Sequence, residues 1–160
     1  METEIIMNNL LIKELYQQEQ DLQFDSFSAI DAWNIGSILV DKGSEYKNIT
    51  IDITRNRQQL FHYSFDGASV DNDEWVKRKV NLVYRFGHSS FLVGQELKLK
   101  DKTIDEVYLI RESEFAPPGG CFPIIIKNTG MVGTITVSGL EQSEDHRLVV
   151  ETIKEYLERK

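Results

Sequence analysis

A cluster of glycines followed by an Asp-His pair is where chemistry could reside in this 160-residue chain. The stretch GGCFPIIIKNTGMVGTITVSGLEQSEDH, residues 119–146, carries glycines at 119, 120, 130, 133 and 139 and ends on Asp145-His146. Glycine lets the backbone approach a ligand closely, and the first N–H groups of a helix favour negative charge. Gly119, Gly120 and a helix start near Ser143 therefore predict a concave surface suited to a carboxylate or another anion. The spacing matches neither the P-loop GxxxxGK[ST] nor the dinucleotide fingerprint GxGxxG, which leaves a nucleotide without support. Taken singly, each glycine has a plainer use in a turn or in close strand packing.

An imidazole can ligate iron, shuttle a proton or satisfy a hydrogen bond, so the three histidines are ranked by position. His62 falls in a strand pattern and reads as structural. His88 follows Gly87 and precedes Ser89-Ser90 in a loop. His146 borders an apolar stripe formed by Val150, Ile153 and Leu157, close to the helix start, where it can also cap or pack. Asp145 suits the first turn of that helix, and Ser138 lacks the GxSxG elbow of a nucleophile. Cys121 is either an exposed thiol or a small buried hydrophobe, with no cation beside it in sequence. Trp75 and Lys79, four apart, could clamp an anion or a planar ligand, or the indole could simply pack. The expected ligand site is thus Gly119, Gly120, Cys121, Asp145 and His146, with His88 next. No acid–base pair or metal triad is complete from spacing, and no metal is expected.

Two periodicities alternate along the chain and predict the elements that must hold these residues. Residues 4–20 place Ile6, Leu10, Leu11 and Leu15 at helical spacing. Ser26 is the expected N-cap of a second helix whose inner stripe would be Phe27, Ile30, Trp33, Asn34 and Ile38, ending at Gly43. In NITIDIT, Ile49, Ile51 and Ile53 alternate with Thr50, Asp52 and Thr54, the pattern of a strand buried on one face. RNRQQ then turns into LFHYSFDG, completing a hairpin. DNDEWVKRKVNLVYRF reads as a third helix, FLVGQELKLK fits either period, and Thr103 caps a short helix that Pro117-Pro118 stops. A strand from Pro123, the turn KNTG and the alternation from Met131 to Val137 form a second hairpin. Ser143 would cap a last helix with Leu148, Val149, Thr152, Ile153, Tyr156 and Leu157 inside. The sum is an α/β (α+β) chain whose short hairpin connections require antiparallel pairing.

Hydrophobic residues make up 41% and charged residues 28% of the chain, the balance of a soluble globular protein, and the length suits one domain over 1–160. With 26 acidic against 18 basic residues, the net charge of -8 repels nucleic acid and anionic lipid surfaces. The run Lys77-Arg78-Lys79 reads as a solvated helix face. The longest aliphatic run, Ile124-Ile126, is far short of the ~20 residues that span a bilayer. The N-terminus lacks the basic flank and cleavage site of a secretory signal, and a single cysteine can form neither an internal disulfide nor a cysteine metal cluster. A cytosolic protein free of membrane and nucleic-acid partners is expected.

The order FSAIDAWNIG, ITIDI, LFHYSFDG, DNDEWVKRK, FGHSS, GGCFPI and GTITVSGLEQSEDHRLVVE resembles the HbpS/GlcG-like family of haem-binding or haem-degrading-domain proteins, in its DUF967-type branch. The similarity covers nearly the whole chain. It implies a profilin-like fold, a central antiparallel sheet of about five strands with helices on both sides, and assembly into homo-oligomers, dimers or larger rings. Haem is the cofactor the resemblance brings into question. Some relatives carry a histidine just before the paired glycines; this chain has Pro118 there, so an axial-ligand role for that histidine does not carry over. Three functions follow as expectations. The first is a non-catalytic oligomeric binder of a small anionic, organic or tetrapyrrole ligand. The others are an enzyme acting on a small acid or on haem, and a scaffold that recruits another protein.

Overall fold

A computed structural model describes residues Met1–Lys160. The chain runs α1 (Glu2–Asp21), β1 (Gln23–Phe24), α2 (Ala29–Gly43), β2 (Thr50–Arg55), β3 (Gln58–Ser64), α3 (Val70–Phe86), α4 (Ser90–Lys100), α5 (Ile104–Tyr108), β4 (Cys121–Ile126), β5 (Gly130–Ser138) and α6 (Gln142–Glu158). The five strands form one sheet in the order β1-β4-β5-β2-β3. Both expected hairpins are present and antiparallel, but the two-residue β1 pairs parallel to β4. Its shortness gave no alternation to read in the sequence. The sequence FLVGQELKLK forms α4, capped by Ser89, whose side chain accepts from Leu92 N–H.

The register separates two chemically different faces. Ile51 and Ile53 of β2, Ile135 and Val137 of β5 and Phe122 and Ile124 of β4 pack with Ala32, Ile35 and Leu39 of α2 and Val149 and Ile153 of α6. Each such fully buried side chain contributes roughly 1.5–3 kcal/mol relative to exposure, which makes this face the main core. The opposite face carries Thr50, Asp52, Thr54, Thr134, Thr136, Ser138 and Cys121, all buried, and α3 with its Val76, Val80 and Val83 lies over it. Strand β2 is therefore covered on both sides, although its alternation predicts only one. Its hydroxyls are tied into the sheet, with Thr54 Oγ1 2.8 Å from both Thr134 Oγ1 and Tyr84 Oη.

Helix α2 corrects two further expectations. Its N-cap is Ser28, which forms a capping box with Asp31. Ala32, Ile35, Gly36 and Leu39 face the core, while Ile30 and Trp33 are 64% and 61% exposed. The reason is steric: a Cβ on Gly36 would lie 2.6 Å from the Phe61 ring, so the small residues mark the side of closest approach. A reading led by the largest side chains selects the wrong stripe.

The segment before β4 ends in a tight turn. Gly120 has φ +137°, and a Cβ there would stand 2.3 Å from the Val137 carbonyl oxygen and 2.8 Å from Lys79 Nζ. A β-branched residue meets both the strained backbone and a rigid obstacle. We expect Gly120→Val to cost about 3 kcal/mol or more, lowering the melting temperature by roughly 6–12 °C, while exposed Lys98→Ala stays within about 0.5 kcal/mol of wild type. Equal melting temperatures in a calorimetric scan would contradict the backbone role of Gly120.

Candidate functional site

The glycine turn, the start of α6 and the first three turns of α3 converge at one end of the sheet. Ser69 and Asn72 form the capping box of α3, and the Asn72 amide also donates to the Ser138 carbonyl at 3.2 Å, fixing the helix start to the end of β5. One turn on come Trp75 and then Lys79, whose side chain runs inward and is 4% exposed. The turn from β5 into α6 is closed by Asp145, which accepts from Leu140 N–H at 3.0 Å and Gly139 N–H at 3.3 Å. Gly119 N–H donates to Gln142 Oε1 at 3.1 Å. A cavity of about 340 Å³ opens there, lined among others by Asn72, Trp75, Lys79, Pro118, Gln142 and Asp145.

The ammonium of Lys79 is poorly served. Its nearest acceptors are Asp145 Oδ2 at 3.4 Å and the Val137 carbonyl at 3.5 Å, whereas a charge-assisted bond closes to about 2.7–2.9 Å. Burial pushes the Lys79 pKa down, an effect that the Asp145 charge only partly offsets. Burial also pushes Asp145 up to about 6 against the opposing pull of Lys79 and the two N–H donors. Desolvation thus dominates on both partners. Both cavity amides use their oxygens within the protein, Asn72 accepting from Ser69 N–H and Gln142 from Gly119 N–H, while the Gln142 N–H groups and one Asn72 N–H have no protein partner.

The residues expected from sequence separate into two groups. Gly120 and Asp145 meet at Lys79, and Gly119 is held beside them by Gln142. Cys121 lies behind them on the α3 side of β4; it is fully buried, and burial pushes its thiol up to about 12, which removes the reactive thiolate alternative. His146, one residue beyond Asp145, faces another way. Its Nε2 lies 2.8 Å from Gln18 Oε1 of α1, its ring packs 4.9 Å from Phe91 and 6.1 Å from Phe122, and burial pushes it down to about 4. His88 also meets α1: its Nδ1 is 2.7 Å from Glu19 Oε1, a bond that raises its pKa, and its ring contacts Tyr16 edge-on. His62 lies between Asp52 and Asp73 at 3.1 and 3.2 Å.

Lys79 is the residue that the solvated-face reading of Lys77-Arg78-Lys79 misplaces. The signal was present in the spacing, because Lys79 stands at i+3 from Val76 and i−4 from Val83, inside the apolar stripe. Lys77 is exposed and pairs with Glu74, while the Arg78 guanidinium lies 4.1 Å over the Trp75 ring.

The family model described as "Haem degrading protein HbpS-like" matches residues 27–154. The chain belongs to the HbpS-like family. Helix α1 and strand β1 precede the matched residues. A UPF0303 protein of Streptomyces coelicolor is 43% identical over 147 residues, covering 91% of this chain and 93% of its own length. The crystal structure of the Ybr137w protein superposes with a TM-score of 0.86 at 30% identity, covering 92% of this chain and 88% of that one. The fold is also that of HbpS, with a TM-score of 0.63 at 14% identity over 84% of this chain and 92% of HbpS. A PduOC–haem complex gives 0.67 at 11% identity over 81% and 94%. The HbpS-like chain has no helix long and apolar enough to cross a membrane.

The two buried groups on consecutive residues of α6 respond to acid in opposite senses. Asp145 binds its proton more tightly folded than unfolded, so its stabilising contribution is lost as pH rises from 3.8 towards 6; His146 binds its proton less tightly, so its contribution is lost as pH falls from 6.5 towards 4. Each term spans on the order of 3 kcal/mol. We predict that the stability of wild type relative to His146→Gln, measured by urea unfolding, rises by about 3 kcal/mol between pH 4 and 6.5. A difference independent of pH would contradict the buried neutral imidazole.

Proposed function

We propose that this HbpS-like protein is a non-catalytic binder of a small organic ligand bearing a carboxylate, seated between α3 and the start of α6. The observation that carries the reading is Lys79: a buried ammonium whose two acceptors both lie beyond 3.3 Å, at the wall of a cavity whose two amides have their oxygens already occupied. Burying an ammonium costs several kcal/mol, and a loosely paired lysine recovers little of that. A loosely paired buried ammonium beside a cavity supports a functional site there. Pro118, Gly139 and Asp145 shape the pocket with Gly119 and Gly120 behind it, Lys79 and the amide N–H groups hold the carboxylate, and Trp75 covers the organic part. Asp145 accepts from Gly139 and Leu140 N–H and faces Lys79, which holds the amine in place at the pocket.

A second reading, haem, is favoured by the family description and by the haem-bound PduOC neighbour. The cavity is too small to enclose a tetrapyrrole, and no imidazole lines it. Of the three histidines, His88 fits iron best. Its Nδ1 is held by Glu19, the arrangement that orients a ligating imidazole, and Nε2 is left for the metal. His146 is covered by α1 and Phe91, with Nε2 bound to Gln18. Self-association belongs to the same proposal. It is supported by Ile5, Ile6, Met7 and Leu10 exposed on α1 and by Ile30 and Trp33 on α2. A cytosolic site of action is supported by the lone reduced cysteine.

The test uses a Trp33→Phe background, in which Trp75 is the remaining indole, titrated with succinate and with protohaem. Succinate should change the Trp75 fluorescence and bind about tenfold or more weakly to Lys79→Met, with exposed Lys127→Met unchanged. Equal succinate affinity in Lys79→Met would overturn the pocket reading. If haem gives a Soret shift that survives Lys79→Met and His146→Ala but is lost in His88→Ala, the haem reading replaces it.

A further inference from the structure

An amine held out of water beside a carboxylate is also a nucleophile. We infer that Lys79 captures its ligand covalently, forming a reversible imine with the carbonyl group of a small aldehyde or ketone acid in this pocket. The inference rests on the reading of the cavity as a ligand site and narrows the ligand from carboxylates in general to oxo acids.

Three features of the geometry point to it. Lys79 lines the cavity and its Nζ makes no short hydrogen bond, so no strong contact must break before it reacts. Gly120 lets Nζ sit close against the backbone, where a Cβ would stand 2.8 Å away and displace the amine from this position. A proton acceptor, Asp145 Oδ2, stands 3.4 Å away, and the direction of both pKa shifts brings the neutral amine and the protonated acid closer to accessible pH. An exposed lysine such as Lys98 has none of these.

The step balances within the site. Lys79 gives one proton to Asp145, and its lone pair forms the C–N bond as the carbonyl π pair moves to oxygen. A second proton passes from nitrogen to that oxygen. Asp145 then returns its proton as the hydroxyl leaves as water, and the nitrogen lone pair closes the C=N bond. The ammonium, carboxylate and carbonyl have become a protonated imine, a carboxylate and one water, with no oxidant or reductant involved. The iminium keeps the positive charge at Nζ, and the Gln142 N–H groups and the one Asn72 N–H not bound to the Ser138 carbonyl remain for the ligand's carboxylate.

Glyoxylate and pyruvate serve as probes, with cyanoborohydride reduction, intact mass and peptide mapping on the full chain. We expect one reduced adduct per chain at Lys79, formed about tenfold or more faster than at Lys98, and slowed in Asp145→Asn. Labelling spread evenly over exposed lysines, or none at Lys79, would overturn the imine. Succinate binding separates the two levels: if succinate still reports through Trp75 while Lys79 stays unlabelled, only the covalent step fails, and if both are lacking, the ligand site fails as well.

Discussion

The contact between Lys79 and Asp145 joins three segments at one end of the sheet. Lys79 comes from the middle of α3, Asp145 from the first turn of α6, and Gly120 from the turn into β4 that leaves room for the amine between them. Asp145 in turn closes the β5–α6 connection through Gly139 and Leu140 N–H. The pair is a poor stabiliser. At 3.4 Å, with desolvation dominating on both sides, it recovers only part of what burial costs, and apolar residues of the same volume would serve the fold as well or better. What stabilises the fold is the other face of the sheet, where Ile, Val and Phe side chains pack against α2 and α6.

That division explains the buried polar layer under α3. Thr50 bonds Ser64 of β3, Thr54 bonds Thr134 and Tyr84 of α3, and the Ser138 carbonyl accepts from Asn72 of α3. Lys79 lies on the same side of the sheet, at the end where the cavity opens. Helix α1 is held differently. Leu15 is its one buried apolar side chain, and Glu19 anchors it by accepting from Ser89 N–H and meeting His88. The two histidines that α1 covers therefore belong to a docking contact rather than to the Lys79 pocket.

Much of this architecture is legible in the sequence, because two hairpins with clear alternation and helices with clear stripes leave few arrangements. What was not legible has identifiable causes. Strand β1 is two residues long and depends wholly on its neighbour. Helix α2 turns its small residues inward because Phe61 demands close approach at Gly36, so hydrophobic size misleads. The site was half visible: glycines and Asp145 stood out by type, whereas Lys79 was hidden by its basic neighbours although its spacing placed it inside. His146 drew attention as an imaginable ligand, but one residue of helical rotation from Asp145 turns it towards α1 and the aromatic rings.

The central claim is that the Lys79 amine is desolvated, loosely paired and open to an acidic ligand. Carbon-13 labelling of lysine Cε, with Lys79 assigned by its loss in Lys79→Arg, follows the ionisation of that amine directly by NMR. The account predicts that Lys79 titrates below the ordinary lysine value of 10.5 in the free protein and moves upward when succinate binds. A Lys79 that titrates with the exposed lysines and does not respond to succinate would contradict it.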